Sequence, residues 1–167
     1  DYQNDPKATE KKHMQLAIQT IKKIFGERPL GWYTGRCSPN TRDLVMEEGG
    51  FLYDSDSYSD DLPYWVIRGK KKQLIIPYTL DNNDMRFATN QGFNSGDQFY
   101  TYLKDSFDAL YNEGNSHPKM MSVGLHCRLI GRPGRIQSLK RFLEYVLKHQ
   151  DVWICKRIDI AKHWIKN

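Results

Sequence analysis

An α/β fold made of β/α units with parallel strands is the class this sequence predicts, on three observations. Helical and extended apolar patterns alternate along the chain, which is the signature of parallel β/α packing. The turn and cap signals between them are short and leave no linker, no internal repeat and no low-complexity segment. Arg, Asp and His side chains recur just after the extended segments, where loops at strand C-termini build active sites in such folds.

The elements follow in order. Asp5 reads as a helix N-cap with Pro6 in the first turn. Met14, Ala17, Ile18, Ile21, Ile24 and Phe25 then recur at helical spacing up to Gly26, a C-terminal stop. Residues 30–33 read as a short strand. Ser38 and Pro39 open a second short helix carrying Leu44, Val45 and Met46, ended by Gly49 and Gly50. Residues 51–53 form the next strand, and an acidic loop holds Asp54, Asp56, Asp60 and Asp61. Residues 64–67 and 74–76 are two more extended segments, separated by a basic turn of Lys70, Lys71 and Lys72. A polar stretch over residues 81–94 leads to Ser95 and Gln98, spaced as a capping box for a helix with Phe99, Leu103, Phe107, Leu110 and Tyr111. Residues 120–125 read as a strand and residues 132–135 as a turn. Ile136, Leu139, Phe142, Leu143, Val146 and Leu147 make an amphipathic helix. Residues 152–155 read as a last strand, and Asp159 caps a final helix with Trp164.

The 167 residues are enough for one domain, taken as residues 1–167. Ten Tyr, seven Phe and four Trp suit a fold with a cleft. Net charge is +5, mostly on dispersed lysines, so the composition speaks for no nucleic-acid partner. The three cysteines, Cys37, Cys127 and Cys155, are too few and too spread for a disulfide framework or structural zinc, and they fit a reducing, cytoplasmic location. No apolar run reaches the length of a membrane span and no signal peptide opens the chain. The first residue, Asp1, suggests either a start within a longer protein or a processed chain.

Position singles out the candidate site. Arg36 follows one strand, Asp54 and Asp56 the next, and Asp81, Asn83, Asp84 and Arg86 a third. His126 and Arg128 follow the strand at 120–125. Arg36 reads either as a partner that ties Asp54 or Asp56 across two loops, or as a guanidinium at the reacting centre. His126 reads either as a hydrogen-bonded core histidine or as a proton donor to a departing amine, since imidazole titrates near neutrality. The acidic loop reads as solvated, and its Asp-x-Asp spacing lacks the rest of a calcium loop. Trp65 is core or cleft wall.

These residues also match a known pattern. Arg36 and Pro39, within residues 31–40, resemble the Arg-x-x-Pro motif of the polysaccharide-deacetylase (NodB-homology) superfamily. Asp54, Asp56, Asp61, Pro63 and Trp65 are similar to its Asp/Trp motif, and Leu125 with His126 lies in its Leu-x-His motif. Residues 77–87, with Asn83, Asp84 and Arg86, then Gly92 to Gly96, then residues 125–134 with Arg128, resemble the allantoinase-like subgroup. The resemblance implies the C-terminal portion of a distorted (β/α) barrel, with the N-terminal strands missing, and hydrolysis of a non-peptide C–N bond. Allantoin is the implied substrate; the alternative is N-deacetylation of a polysaccharide or peptidoglycan. His126 is implied as general acid and Arg36 as the arginine that orients a catalytic Asp. Asp54, Asp56, Trp65, Asn83, Asp84, Arg86 and Arg128 are the implied substrate-binding set. The family's Asp-Asp and His-x-x-x-His motifs are not in the sequence. A divalent cation such as zinc would therefore belong to the full-length protein, with no metal ligand expected here and no cofactor assigned. This chain alone is expected to be inactive. A further alternative is a truncated, non-catalytic homologue that acts as an interaction module. Expected partners are a small amide or N-acetyl sugar substrate and, from related enzymes, a second copy in a homo-oligomer.

Overall fold

The computed structural model describes residues 2–167, so the expectation placed on Asp1 lies outside the described residues. It comprises two compact units, one running to Pro77 and including Cys155–Asn167, the other Tyr78–Ile154. The class is mixed α/β, as expected.

In the first unit, α1 (Lys7–Phe25) closes at Gly26, as its apolar period predicts. Pro6, not Asp5, occupies the N-cap, with φ −58° and ψ 139°. The proline ring fixes φ but leaves ψ extended, so the helix begins one residue later. β1 (Gly31–Trp32), α2 (Thr41–Glu48) and β2 (Tyr53–Asp54) form a parallel β/α unit, with Gly31 opposite Tyr53 and Trp32 opposite Asp54. β3 (Tyr64–Arg68) and β4 (Lys71–Ile75) follow, giving the sheet order β1-β2-β4-β3. β4 is parallel to β2, but β3 and β4 pair antiparallel through a turn at Gly69, which departs from uniform parallel packing. A two-residue connection cannot make a crossover, so a hairpin is the available geometry.

The lysine run is mostly strand and not the solvated turn expected. Lys71 Nζ donates to the carbonyls of Met46 (3.1 Å) and Glu47 (3.4 Å), at the C-terminal end of α2. Lys72 lies over the Trp65 ring at 4.5 Å, and Arg68 pairs with Asp43 at 3.0 Å. A cation at a helix C-terminus complements the macrodipole. Met14, Leu44, Val45 and Phe51 form the core of this unit, with Ile18 and Trp32 packed on it. α6 (Arg157–Lys166) starts after Lys156, and Asp159 sits at its third position, where its carboxylate accepts the Lys156 N–H at 3.1 Å.

In the second unit, a 3-10 turn (Asp84–Ala88) leads to α3 (Gly96–Gly114). Ser95 Oγ accepts the Gln98 N–H, while Gln98 Oε1 accepts from Asn94 instead of Ser95, a capping box shifted by one residue. α4 (Cys127–Ile130) and α5 (Pro133–Val146) complete the unit. Phe99 is fully buried among Phe93, Leu103, Phe107, Ile130, Phe142 and Val146. Residues 120–125 and 152–155 are not strands. The first contributes a single parallel bridge, Gly124 to Asn83. Met121, Val123 and Val152 pack on the core, which explains their apolar character, but a strand needs a ladder partner as well as burial. Among the described residues, no helix is long and apolar enough to cross a membrane.

Candidate active site

The second unit holds the best-defined polar pair. Asp84 is fully buried, and its carboxylate accepts three N–H groups. Oδ2 takes the backbone N–H of His126 at 2.7 Å and of Ile130 at 3.0 Å. Oδ1 lies 2.6 Å from His126 Nδ1. A carboxylate that already serves two amides is an acceptor, so Nδ1 carries the hydrogen in this contact. Nε2 is then the nitrogen left to exchange a proton with a bound molecule. The His126 side chain retains 28% exposure.

Local sequence explains the placement. Gly124 brings its backbone against Asn83: Asp84 N–H donates to the Gly124 carbonyl at 2.9 Å, and Gly124 N–H to the Asn82 carbonyl at 2.8 Å. A Cβ at position 124 would lie 2.2 Å from Asn83 Nδ2, so only glycine permits this approach. Two residues further on, His126 is the N-cap of α4, and the Asp84 carboxylate accepts the N–H of this cap residue and of Ile130, the last residue of the helix. Asn83 caps the 3-10 turn by accepting from Met85 N, and its Nδ2 donates to Thr79 O and Tyr78 Oη.

Arg86 lies against two adjoining rings, 4.6 Å from Phe93 and 4.4 Å from Tyr102. Asp81 joins it at 3.5 Å and accepts the Tyr102 hydroxyl at 2.5 Å. Arg128 and Cys127 are exposed on α4.

In the first unit, Asp54 closes β2. Its Oδ1 accepts the Asp56 N–H at 2.8 Å. Arg42 Nε stands 3.5 Å from Asp54 Oδ2, an ion pair without hydrogen-bond geometry, and Arg42 Nη2 donates to the Asp56 carbonyl at 2.9 Å. The Asp56 carboxylate accepts the N–H groups of Thr34 (2.9 Å) and Gly35 (2.7 Å). Burial raises the pKa of both Asp54 and Asp56 above the ordinary carboxylate range, against the lowering effect of these N–H groups and Arg42.

This has a measurable sign. A carboxyl group that holds its proton more tightly when folded contributes stability below the unfolded value, about 3.9 for Asp, and loses it as pH rises through the raised folded value. Asp54→Asn is therefore expected to flatten the fall of Tm between about pH 4 and neutrality relative to the parent. Thermal unfolding across that range checks it; parallel curves would contradict the burial cost.

The structure brings together Asp84 with His126, and Asp54 with Asp56. It does not pair Arg36 with either of the latter. Arg36 is exposed, and Arg42 holds the place expected of it. The reason is local: the Asp56 oxygens are taken by the two amides before Arg36, and the chain turns at Gly35 with φ +70°. Asp54, Asp56, Asn83 and Asp84 are each at most 7% exposed, and their side chains bond to neighbouring groups of the protein. Trp65 is half-buried beneath Lys72. Arg42 was missed in the sequence, although it had a signal. An arginine in the first turn of a helix opposes the macrodipole and calls for an acidic partner.

Among the described residues, no group of three or more His, Cys, Asp or Glu side chains is placed to hold a metal ion. The Asp54 and Asp56 oxygens nearest to such a role face N–H and guanidinium donors. These residues do not fit a divalent cation.

No protein-family model matches the chain. It is 44% identical to a Schizosaccharomyces pombe protein named as a polysaccharide deacetylase, over 98% of this chain and 57% of that protein. A crystal structure from Pseudomonas aeruginosa PAO1, also named as a polysaccharide deacetylase, matches with a TM-score of 0.97 and 59% identity. The crystal structure of Puue allantoinase matches with a TM-score of 0.96 and 60% identity. Each covers all of this chain and 56% of the solved one. The chain thus spans little more than half the length of the relatives it matches.

Proposed function

We propose that this chain, which belongs to the polysaccharide-deacetylase family, supplies the proton donor of a hydrolase that cleaves non-peptide carbon–nitrogen bonds. The observation that carries the reading is His126, tied through Nδ1 to the buried Asp84.

The reaction needs two events at one carbonyl. Water oxygen bonds to the amide carbon, and the C–N bond breaks with its electron pair moving to nitrogen. A departing amide nitrogen is a poor leaving group unless it is protonated as the bond breaks. His126 with protons on both nitrogens can deliver the one on Nε2, while Asp84 opposite Nδ1 stabilises the imidazolium and fixes the plane of the ring. The proton lost by the attacking water goes to a base that this reading does not assign to the chain. Arg36, on the Arg-x-x-Pro resemblance, is proposed as the arginine that orients a catalytic Asp of the full-length protein.

The substrate within this reading is allantoin, opened to allantoate. The Puue allantoinase likeness supports it, together with Asn83, Asp84 and Arg86 and the Gly92 to Gly96 stretch. Removal of an N-acetyl group from a polysaccharide is the second reading, favoured by the names of the S. pombe and P. aeruginosa relatives.

The full-length protein decides the matter when given allantoin and an N-acetylglucosamine oligomer in parallel. Allantoate without acetate supports the first reading, and acetate alone transfers it to the second. A folded protein that releases neither would sink C–N hydrolysis and leave the interaction-module alternative.

A further inference from the structure

The loop after β2 is more heavily bonded than a solvated acidic loop requires. Asp56 is only 7% exposed. Its N–H is held by Asp54, its carbonyl by Arg42, and its carboxylate by two consecutive amides of another loop. Those amides, Thr34 and Gly35, immediately precede Arg36.

We propose that Asp56 is a positioning residue that sets the backbone of the loop presenting Arg36, and that Arg42 acts behind it by fixing Asp56. A carboxylate that accepts adjacent N–H groups locks the peptide planes on both sides of Thr34, leaving the chain one exit direction. Gly35 takes the positive φ that this exit needs. With φ at +70°, the turn favours glycine over any residue with a Cβ. Arg36 then emerges exposed, with its guanidinium left for a partner beyond the loop. Arg42 is suited to the supporting role because its guanidinium donates to the Asp56 carbonyl while its charge faces Asp54 Oδ2 at 3.5 Å. The division of labour is one half-buried arginine set against carboxylates for placement and a second presented for chemistry. The part of Arg36 in turnover rests on the proposed C–N hydrolysis; the placement of its loop does not.

The test uses the full-length protein and amide hydrogen exchange resolved to residues 33–37, with α1 as the internal reference for folding. In Asp56→Ala the Thr34 and Gly35 amides are expected to exchange at least about tenfold faster, the size of effect that losing a charge-assisted hydrogen bond implies. Asp56→Asn keeps one acceptor oxygen and should fall between. Arg42→Gln should move the same two amides in the same direction by less. Native exchange at Thr34 and Gly35, in any of these variants whose α1 exchange is native, would overturn the assignment. Should Asp56→Ala fail to fold, Asp56→Asn and Arg42→Gln decide by the same criterion.

Turnover adds a second readout. Asp56→Ala combined with Arg36→Ala should be no slower than Arg36→Ala alone, because the position of a missing side chain has no effect. Additive losses would overturn the link to Arg36. If no substrate is turned over, the hydrolase reading fails while the exchange comparison still decides the loop.

Discussion

Turnover by the full-length protein is expected to fall roughly 10²–10⁴-fold in His126→Ala, the range associated with loss of a general acid. The loss should appear in kcat, since the proton is delivered as the C–N bond breaks and not when substrate binds. Stability should also fall, by about 1–3 kcal/mol, because Asp84 Oδ1 loses the partner that it holds at 2.6 Å. His126→Gln separates the two effects. Its amide can donate to Asp84 but cannot titrate, so the kcat loss should persist while most of the Tm is recovered. Near-parental kcat in His126→Gln, with the protein folded, would remove His126 from the proton transfer.

Asp84→Asn is expected to lower kcat by roughly two to four orders of magnitude through the tautomer of His126. The Asp84 oxygen that accepts from His126 N and Ile130 N must remain an oxygen, since an NH₂ group there would meet two N–H donors. The introduced amide nitrogen is therefore driven to the side of Nδ1. It donates to Nδ1, which holds the neutral ring with its hydrogen on Nε2 and opposes the imidazolium. The donor nitrogen is still in place, but its acidity is lost. KM should change little, because Asp84 is fully buried and touches no substrate. Asp84→Ala should instead unfold the region around α4, since it strands three donors at about 1–3 kcal/mol for each that stays dry. A full kcat in Asp84→Asn would show that the hydrogen-bonded carboxylate orients nothing of consequence.

Much of this was legible in the sequence wherever a local rule decided the outcome. α1 and α3 follow from apolar residues at helical spacing and from Gly26 and Ser95 as stop and cap. His126 was singled out by its place after an apolar segment, which is not a strand, and what the structure adds is its bond to Asp84. What failed depended on partners distant in sequence. Met121, Val123 and Val152 are apolar because they face the core of the second unit, and the sequence could not say whether a ladder neighbour lay beside them. Asp84 looked like a substrate contact because polar loop residues after strands usually are. Its engagement by the amides of His126 and Ile130 is a tertiary fact. Arg36 and Arg42 are six positions apart in a similar setting, and which one meets Asp54 depends on the turn at Gly35 and on where α2 begins.

The bond between Asp84 and His126 has a kinetic side. The two residues are separated by 42 positions, so their meeting closes a long loop, at an entropic cost of about 3 kcal/mol before any constant term. Helices form from contacts between neighbours in sequence, and α3 can gain circular dichroism before this loop is shut. An aimed imidazole exists only afterwards. During refolding, recovery of hydrolysis would therefore follow closure of the second unit, while ellipticity at the helical wavelength would follow local winding. The interval between the two traces would measure how long the protein spends helical but without a proton donor in position.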